Sequence, residues 1–428
     1  MNFSTLKRHR EGAACDGYWY DGKNVQAEGV TDNMRITLVI SSLAGGGAER
    51  VATNMSNYWS GNGWEITILT TSHGTRGRAY DLLPGVAHRD LALSSDSRGS
   101  RTADREALIE TLIAMRELLD RASWPERGLV MWDLELLARL RRAIQDTRPQ
   151  AVISFIDLTN IRTLLAATGL DVPVIVSEQC DPHHNNVGAG IHLLRRRVYP
   201  QAKYVVALTE ESMAFFSDMK GVRGRIIPNP VLPPVSDEEE EYPLGKNGFL
   251  LMGMGRLSHE KGFDLLLRAF GMVAQEHPCW SLEIWGEGSI LDWLEQFASK
   301  LGLSDRVRFP GFTRTPHRAM KRADLFAVSS LCEGFPNVLC EAMASGLPVV
   351  SFDCPSGPRH IIRNGVDGVL VPPRNVPAMA EALDRLMRDQ NERRRLAARA
   401  PEVVRRFAVK NVMSMWEQLL PDSPGGCG

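Results

Sequence analysis

The 428 residues contain no Cys-x-x-Cys pair, no Asp-x-Asp triplet and no excess of charge of either sign. Seven cysteines (Cys15, Cys180, Cys279, Cys332, Cys340, Cys354 and Cys427) are scattered, which fits neither a zinc ribbon nor a disulfide framework. The expectation is reduced thiols in a cytosolic protein. Lys and Arg total 50 against 51 Asp and Glu, a net charge of −1, which excludes a protein that holds nucleic acid through a global basic field. No apolar run approaches the ~18–20 residues of a helical membrane span. That excludes a spanning helix and leaves open a chain that lies on a membrane. At 43% hydrophobic and 7% aromatic the chain is too apolar for wholesale disorder. At ~100–200 residues per domain, its length predicts two or three domains.

What is present alternates. Residues 35–43 (RITLVISSL) read as a buried parallel strand, followed by Gly45, Gly46 and Gly47. Val51, Ala52, Met55 and Trp59 then fall at helical spacing until Gly61 and Gly63 end the helix. Strands at 65–70, 151–155, 172–177 and 204–208 continue the series, with helical segments between them. Such β/α alternation predicts an α/β fold with a parallel sheet covered on both faces. Residues 98–132, rich in Arg and Glu and helical over 107–119, read as an insertion. Residues 1–33 are basic and polar without an apolar signal core, and are expected to be a disordered leader. Pro228, Pro230, Pro233 and Pro234, followed by the acidic run 237–241, mark a solvated linker. A second series follows, with strands at 249–254, 281–285, 307–309, 325–329 and 348–352. Its helices are read at 263–276, 290–301, 376–388, 392–406 and 410–420. The predicted division is a leader at 1–33, a first domain at 34–228, a linker at 229–247, a second domain at 248–408 and a final helix and tail at 409–428. In parallel sheets ligands gather at the carboxyl ends of the strands, so the loops there hold the candidates.

Three clusters carry chemistry. Gly45–Gly47 lies between strand and helix, where backbone approaches a ligand closely and a helix N-terminus offers amides to an anion. The same pattern also serves plain strand–helix packing. Residues 253–262 (GMGRLSHEKG) again join strand to helix, but Ser258 stands where a G-x-G-x-x-G fingerprint needs its last glycine. Trp285, not an acid, ends the next strand, so a dinucleotide site fits poorly. What remains are Arg256 and Lys261, a bidentate fork and a mobile point charge suited to phosphate, or else an exposed salt-bridging loop. The third cluster places Glu333 in a Gly/Pro loop and Glu341 on the helix that Asn337 starts. A carboxylate is a good acceptor for vicinal sugar hydroxyls.

Residues 333–348 (EGFPNVLCEAMASGLP) resemble the E-x7-E signature of the retaining glycosyltransferases of family 4, which have the GT-B fold. Residues 255–262 (GRLSHEKG) resemble that family's R-x4-K motif, and SSLAGGGAER its N-terminal glycine loop. Residues 351–358 and 362–372 resemble the branch that builds bacterial surface polysaccharides and lipid-linked oligosaccharides. The resemblance implies two Rossmann-like domains facing a cleft, with a C-terminal helix crossing back to the first. It also implies a nucleotide diphosphate sugar donor, with a UDP-hexose or UDP-N-acetylhexosamine preferred over GDP-mannose. The acceptor would be a glycan or a polyprenyl-diphosphate-linked sugar.

Carried over residue by residue, the resemblance has Arg256 and Lys261 neutralise the diphosphate. Glu333 lies beside the transferred sugar, near Gly334, Phe335, Pro336, Asn337 and Val338, and Glu341 accepts from the ribose. Gly46 and Gly47 close over the diphosphate, while Gly286, Gly311 and Phe312 border the base. The leaving phosphate helps to deprotonate the acceptor. Many relatives carry a His near the end of a late first-domain strand. Here 176–182 (VSEQCDP) offers Glu178 as a catalytic candidate and Asp181 with His183 on the acceptor side, although His183 and His184 also read as solvent-exposed loop histidines. No metal and no other cofactor is expected. A cytoplasmic location follows, with peripheral contact to an anionic membrane through Arg195, Arg196 and Arg197, unless these form ordinary salt bridges with acids of the insertion. A sugar-nucleotide epimerase and a catalytically silent nucleotide-sugar-binding protein are the rival readings.

Overall fold

The computed structural model describes residues 34–72, 77–92, 101–122, 124–185, 187–234 and 248–421. The expected leader, residues 235–247 of the expected linker and the tail 422–428 lie outside the described residues. Two parallel sheets organise the rest. The first has seven strands: β1 (Arg35–Ile40), β2 (Glu65–Thr70), β3 (Val86–Asp90), β4 (Ala151–Phe155), β5 (Val174–Ser177), β6 (Tyr204–Ala207) and β7 (Gly224–Ile226). The second has six: β8 (Phe249–Met254), β9 (Trp280–Trp285), β10 (Val307–Gly311), β11 (Leu325–Val328), β12 (Val349–Phe352) and β13 (Val369–Val371). Their orders are β3-β2-β1-β4-β5-β6-β7 and β10-β9-β8-β11-β12-β13. In each sheet the winding reverses beside the first strand, between β1 and β4 and between β8 and β11. That reversal opens a crevice at the strands' carboxyl ends.

The strands are continuous apolar runs because helices cover both faces. Ile36, Leu38 and Ile40 of β1 point into one core with Trp59, while Val39 points into the other with Val152 and Val176. In the second sheet Leu251 and Leu250 divide in the same way. The period-two alternation therefore fills four layers of core. The strands that sequence reading passed over, β3, β7 and β13, are peripheral and short, and β3 exposes four of its five residues.

The expected insertion forms three helices, Arg101–Ala114, Arg116–Arg121 and Trp124–Trp132. The helix expected over 392–406 is two helices, Gln390–Arg399 and Glu402–Arg406. Pro401 lies between them, and a proline inside a helix lacks the N–H and crowds the preceding turn. The final helix, Val409–Glu417, crosses back onto the first sheet. Val412, Met413 and Trp416 enter the core around Trp59, whose indole N–H donates to Glu417 at 3.1 Å.

The arginine run does not form a free basic patch. Arg195 is wholly buried, 3.3 Å from Asp157. Arg196 pairs with Asp218 at 2.9 Å, and Arg197 pairs with Glu126 of the insertion at 2.8 Å. Each arginine therefore has an acidic partner, but only Arg197 finds it in the insertion, and the Arg196–Asp218 pair is solvent-exposed. No helix among the described residues is long and apolar enough to cross a membrane.

Trp416 is the anchor of the crossover helix. Replacing it by Ala should cost about 3–5 kcal/mol. Denaturant unfolding followed by circular dichroism checks this; an unchanged midpoint would mean the helix is not held by that core.

Candidate active site

A cavity of about 690 Å³ lies where the carboxyl edges of the two sheets face each other. Loops after β1, β4 and β5 line one wall, and loops after β8, β9, β10 and β11 line the other. From the first sheet comes the glycine turn. Gly45 has φ +117°, and a Cβ there would meet Ala79 at 3.2 Å and the Phe312 ring at 3.7 Å. Gly46 precedes helix Gly47–Gly61 and offers no side chain to cap its first-turn amides. Those amides and the helix dipole favour an anion.

From the second sheet come the cations. After β8 the chain makes a short 3-10 turn, His259–Lys261, and then Gly262 at φ +60° starts helix Phe263–Val273. A Cβ at Gly262 would overlap the Ser329 carbonyl, so glycine sets how closely these two loops approach. That approach brings Lys261 Nζ to 2.7 Å from Glu333 Oε1, which also accepts from the Ser330 hydroxyl at 2.6 Å. Burial opposes the Lys261 charge, but Glu333 overcomes it and holds the ammonium pKa above its ordinary value. Arg256 lies exposed on the same wall.

Two ties cross the cleft. Arg50, from the helix after the glycine turn, reaches Glu341 on helix Asn337–Ala344 and lies 4.9 Å over the Tyr80 ring. Asn337 Nδ2 donates to the Gly47 carbonyl at 3.0 Å, and its Oδ1 accepts from Asn229 at 3.1 Å. Burial lowers the Arg50 pKa, yet Glu341 and Tyr80 outweigh it and the net direction is upward.

Of the residues expected from sequence, Gly46, Gly47, Asp181, Arg256, Lys261, Gly286, Phe312, Glu333, Gly334, Phe335, Pro336, Asn337, Val338 and Glu341 line this one cavity. Three do not. Glu178 is 1% exposed, accepts from the Tyr199 hydroxyl and lies 3.9 Å from Arg195. Burial, its main influence, raises its pKa despite Arg195. It is a buried network member rather than a cleft group, its backbone N–H still donating to the Val206 carbonyl of β6 at 2.8 Å. Gly311 sits behind the wall, its carbonyl accepting from the Gly286 N–H at 2.8 Å. His183 faces away, its Nε2 3.2 Å from the Glu211 carbonyl and its ring edge-on to Phe215. His184 takes the cleft position instead.

Sequence reading also passed over Arg50, Tyr80 and Asn229. Arg50 carried a signal, since it lies one turn beyond the glycines and shares their side of the helix. Tyr80 lies in irregular chain, and Asn229 between two linker prolines, with nothing in their neighbours to mark them. Cys180 also lines this cavity and is solvent-exposed. Among the described residues no three His, Cys, Asp or Glu side chains gather as a metal site.

Two parallel-sheet domains facing a cleft, with a glycine turn on one wall and Lys261 and Arg256 on the other, are the architecture of the GT-B class. The chain matches the model of the glycosyl transferase 4-like domain over residues 46–231 and that of glycosyl transferases group 1 over 235–403. The chain therefore carries a glycosyl transferase 4-like domain followed by a glycosyl transferases group 1 domain, one on each sheet, in the GT-B fold. It is 30% identical over 342 residues to an exopolysaccharide phosphotransferase of Streptomyces coelicolor, which covers 73% of this chain and 36% of that protein. It is 26% identical over 284 residues to a polyprenol-linked GalNAc α-1,4-N-acetyl-D-galactosaminyltransferase of Campylobacter jejuni, covering 66% and 77%. Measured on three curated relatives, the chain spans 36%, 63% and 48% of their length. Anabaena HepE, solved with UDP, superposes with a TM-score of 0.67 at 19% identity over 90% of this chain and 99% of that one.

Gly286 tests the geometry of the wall. At φ +135°, a Cβ there would overlap the Gly255 carbonyl. Gly286→Ala should cost at least about 1–3 kcal/mol in strain, with displacement of the 255–261 loop. Thermal unfolding and amide-exchange protection in that loop check it; wild-type values for both would contradict it.

Proposed function

We propose that the chain moves a hexose or N-acetylhexosamine from a nucleotide diphosphate sugar, a UDP-sugar, to a glycan or polyprenyl-diphosphate-linked acceptor. Transfer proceeds with retention at the anomeric carbon and serves surface polysaccharide or glycoconjugate assembly. The observation that carries this reading is the Lys261–Glu333 pair, set between two loops that each lead into a helix N-terminus and facing a glycine turn from the other domain. Supporting it are the activity of the Campylobacter relative and the UDP bound by the Anabaena neighbour.

The side chains divide the work by charge. The donor diphosphate displaces Glu333 from part of the Lys261 coordination and takes Arg256 as its second cation. As the C1–O bond lengthens, the charge growing on the leaving diphosphate meets groups already in place, which is where electrostatic catalysis is largest. The amides opening helix Asn337–Ala344 and helix Gly47–Gly61 approach from opposite walls. Glu341 accepts from the ribose hydroxyls in competition with Arg50. Glu333 then lies beside the sugar. Catalysis in this reading is metal-independent, with two cations and two helix starts supplying the charge. The lipid-linked acceptor brings the protein to the inner face of the cytoplasmic membrane, by surfaces other than Arg195–Arg197.

A screen of UDP- and GDP-sugars, reading nucleotide release with and without membrane extract, tests the reaction class. Acceptor-dependent release of UDP is expected, and release of a free epimerised sugar would favour the epimerase reading. Lys261→Ala should remove about 2–4 kcal/mol of transition-state stabilisation, hence ~10²–10³ in rate. Full turnover by a folded K261A would contradict the role of the pair. Activity should survive EDTA; complete loss restored by Mn²⁺ would contradict metal independence.

A further inference from the structure

Helix Gly47–Gly61 and helix Asn337–Ala344, one from each domain, are tied at two successive points. Asn337 Nδ2 reaches the Gly47 carbonyl at 3.0 Å, and Arg50, three residues on, reaches Glu341, four residues on. Steps of three and four residues each make about one helical turn, so both ties lie on the facing sides of the two helices. All four residues line the cavity. Two contacts between the domains elsewhere do not touch it: the Thr209 and Ser356 hydroxyls, 2.6 Å apart, and His360 with Glu211, at 2.6 Å. The ionic tie is thus placed where a ligand meets it, and it ends on the carboxylate that the proposed reading gives to the ribose.

Arg50 can be displaced without being stranded. Its side chain is 22% exposed and that of Glu341 24%, so water replaces part of what separation loses. The guanidinium also lies 4.9 Å over the Tyr80 ring, and the Tyr80 hydroxyl donates to the Gly46 carbonyl at 3.3 Å. That ring is fixed to the first domain's own glycine turn, so it offers the cation a face that does not depend on Glu341. Arg50 meets Glu341 through one guanidinium nitrogen, on Oε1. A vicinal diol donates one hydrogen bond to each carboxylate oxygen, so a ribose that engages Glu341 with both hydroxyls needs Oε1 as well. Arg50 and the ribose compete for one atom.

We infer that Arg50 is a displaceable stand-in for the ribose. It holds Glu341 in the free protein, yields when the nucleoside diphosphate enters, and by returning to Glu341 helps to expel that nucleotide after transfer. The inference rests on the glycosyl-transfer reading. Its consequence is that Arg50 weakens nucleotide binding, although it is a cation in a cleft that takes an anion. Charge alone predicts the opposite sign, because removing a positive group should weaken the hold on a diphosphate.

Calorimetric titration of the full chain with UDP tests it. Arg50→Ala and Arg50→Gln should bind UDP about three- to tenfold more tightly than wild type, and Arg50→Lys, which keeps the pair, should stay within about twofold of it. In a Glu341→Gln background, where the ion pair is already broken, R50A should bring no gain. Equal or weaker binding by R50A, or a gain that persists beside E341Q, would overturn the inference. Amide exchange in the free protein gives a readout that needs no nucleotide. R50A and E341Q should each raise exchange in helices 47–61 and 337–344, and R50K should not. Wild-type exchange in R50A and E341Q would mean that the pair does not hold the two walls, and the inference fails. A wild-type chain that binds no UDP counts against the glycosyl-transfer reading itself, and the exchange still judges the pair.

Discussion

The Lys261–Glu333 contact is where the two halves of the second domain's chemistry meet, and much of the local fold exists to make it. An ion pair with a carboxylate only 10% exposed loses hydration that its Coulomb attraction only partly returns, so it is a poor device for stability. It is nevertheless held firmly: Gly262 allows the 3-10 turn to press against Ser329, and Ser330 adds a hydroxyl to the same carboxylate oxygen. A cation kept charged and aimed at a cavity, with its counterion replaceable, is the arrangement that an arriving diphosphate requires. The pair is better understood as a reserved place for an anion than as a brace.

The opposite wall answers it with backbone instead of charge. Gly45–Gly47 contribute amides, and the cross-cleft contacts of Arg50 with Glu341 and of Asn337 with Gly47 set the separation of the walls. Both ties end on helix Asn337–Ala344, so one short helix joins the carboxylate expected at the ribose, the glycine turn and the loop of Glu333. Ligand binding at this helix must exchange contacts with the first domain.

Much of this was legible in the chain itself. The two β/α series, the parallel sheets and the crossover helix followed from short apolar runs separated by helical spacing, because a strand buried on both faces has a simple signature. The second sheet's share of the cavity lining followed from glycines and cations at strand ends. The loop after β5 did not. Glu178 and His183 read as site residues, yet Glu178 is buried against Tyr199 and His183 lies against Phe215, leaving His184 in the cleft. Those partners are distant in sequence, so nothing local marks the difference. Arg195–Arg197 looked unpartnered for a related reason: Asp157, Asp218 and Glu126, with which they pair, are distant in sequence.

The central claim is that this cleft holds a nucleoside diphosphate by protein charges and helix amides alone. Calorimetric titration of the full chain with UDP in the presence of EDTA tests it directly. The account predicts saturable binding at a single site, weakened when rising salt screens Lys261 and Arg256. Absence of binding, or binding that appears only on adding Mg²⁺ or Mn²⁺, would contradict it.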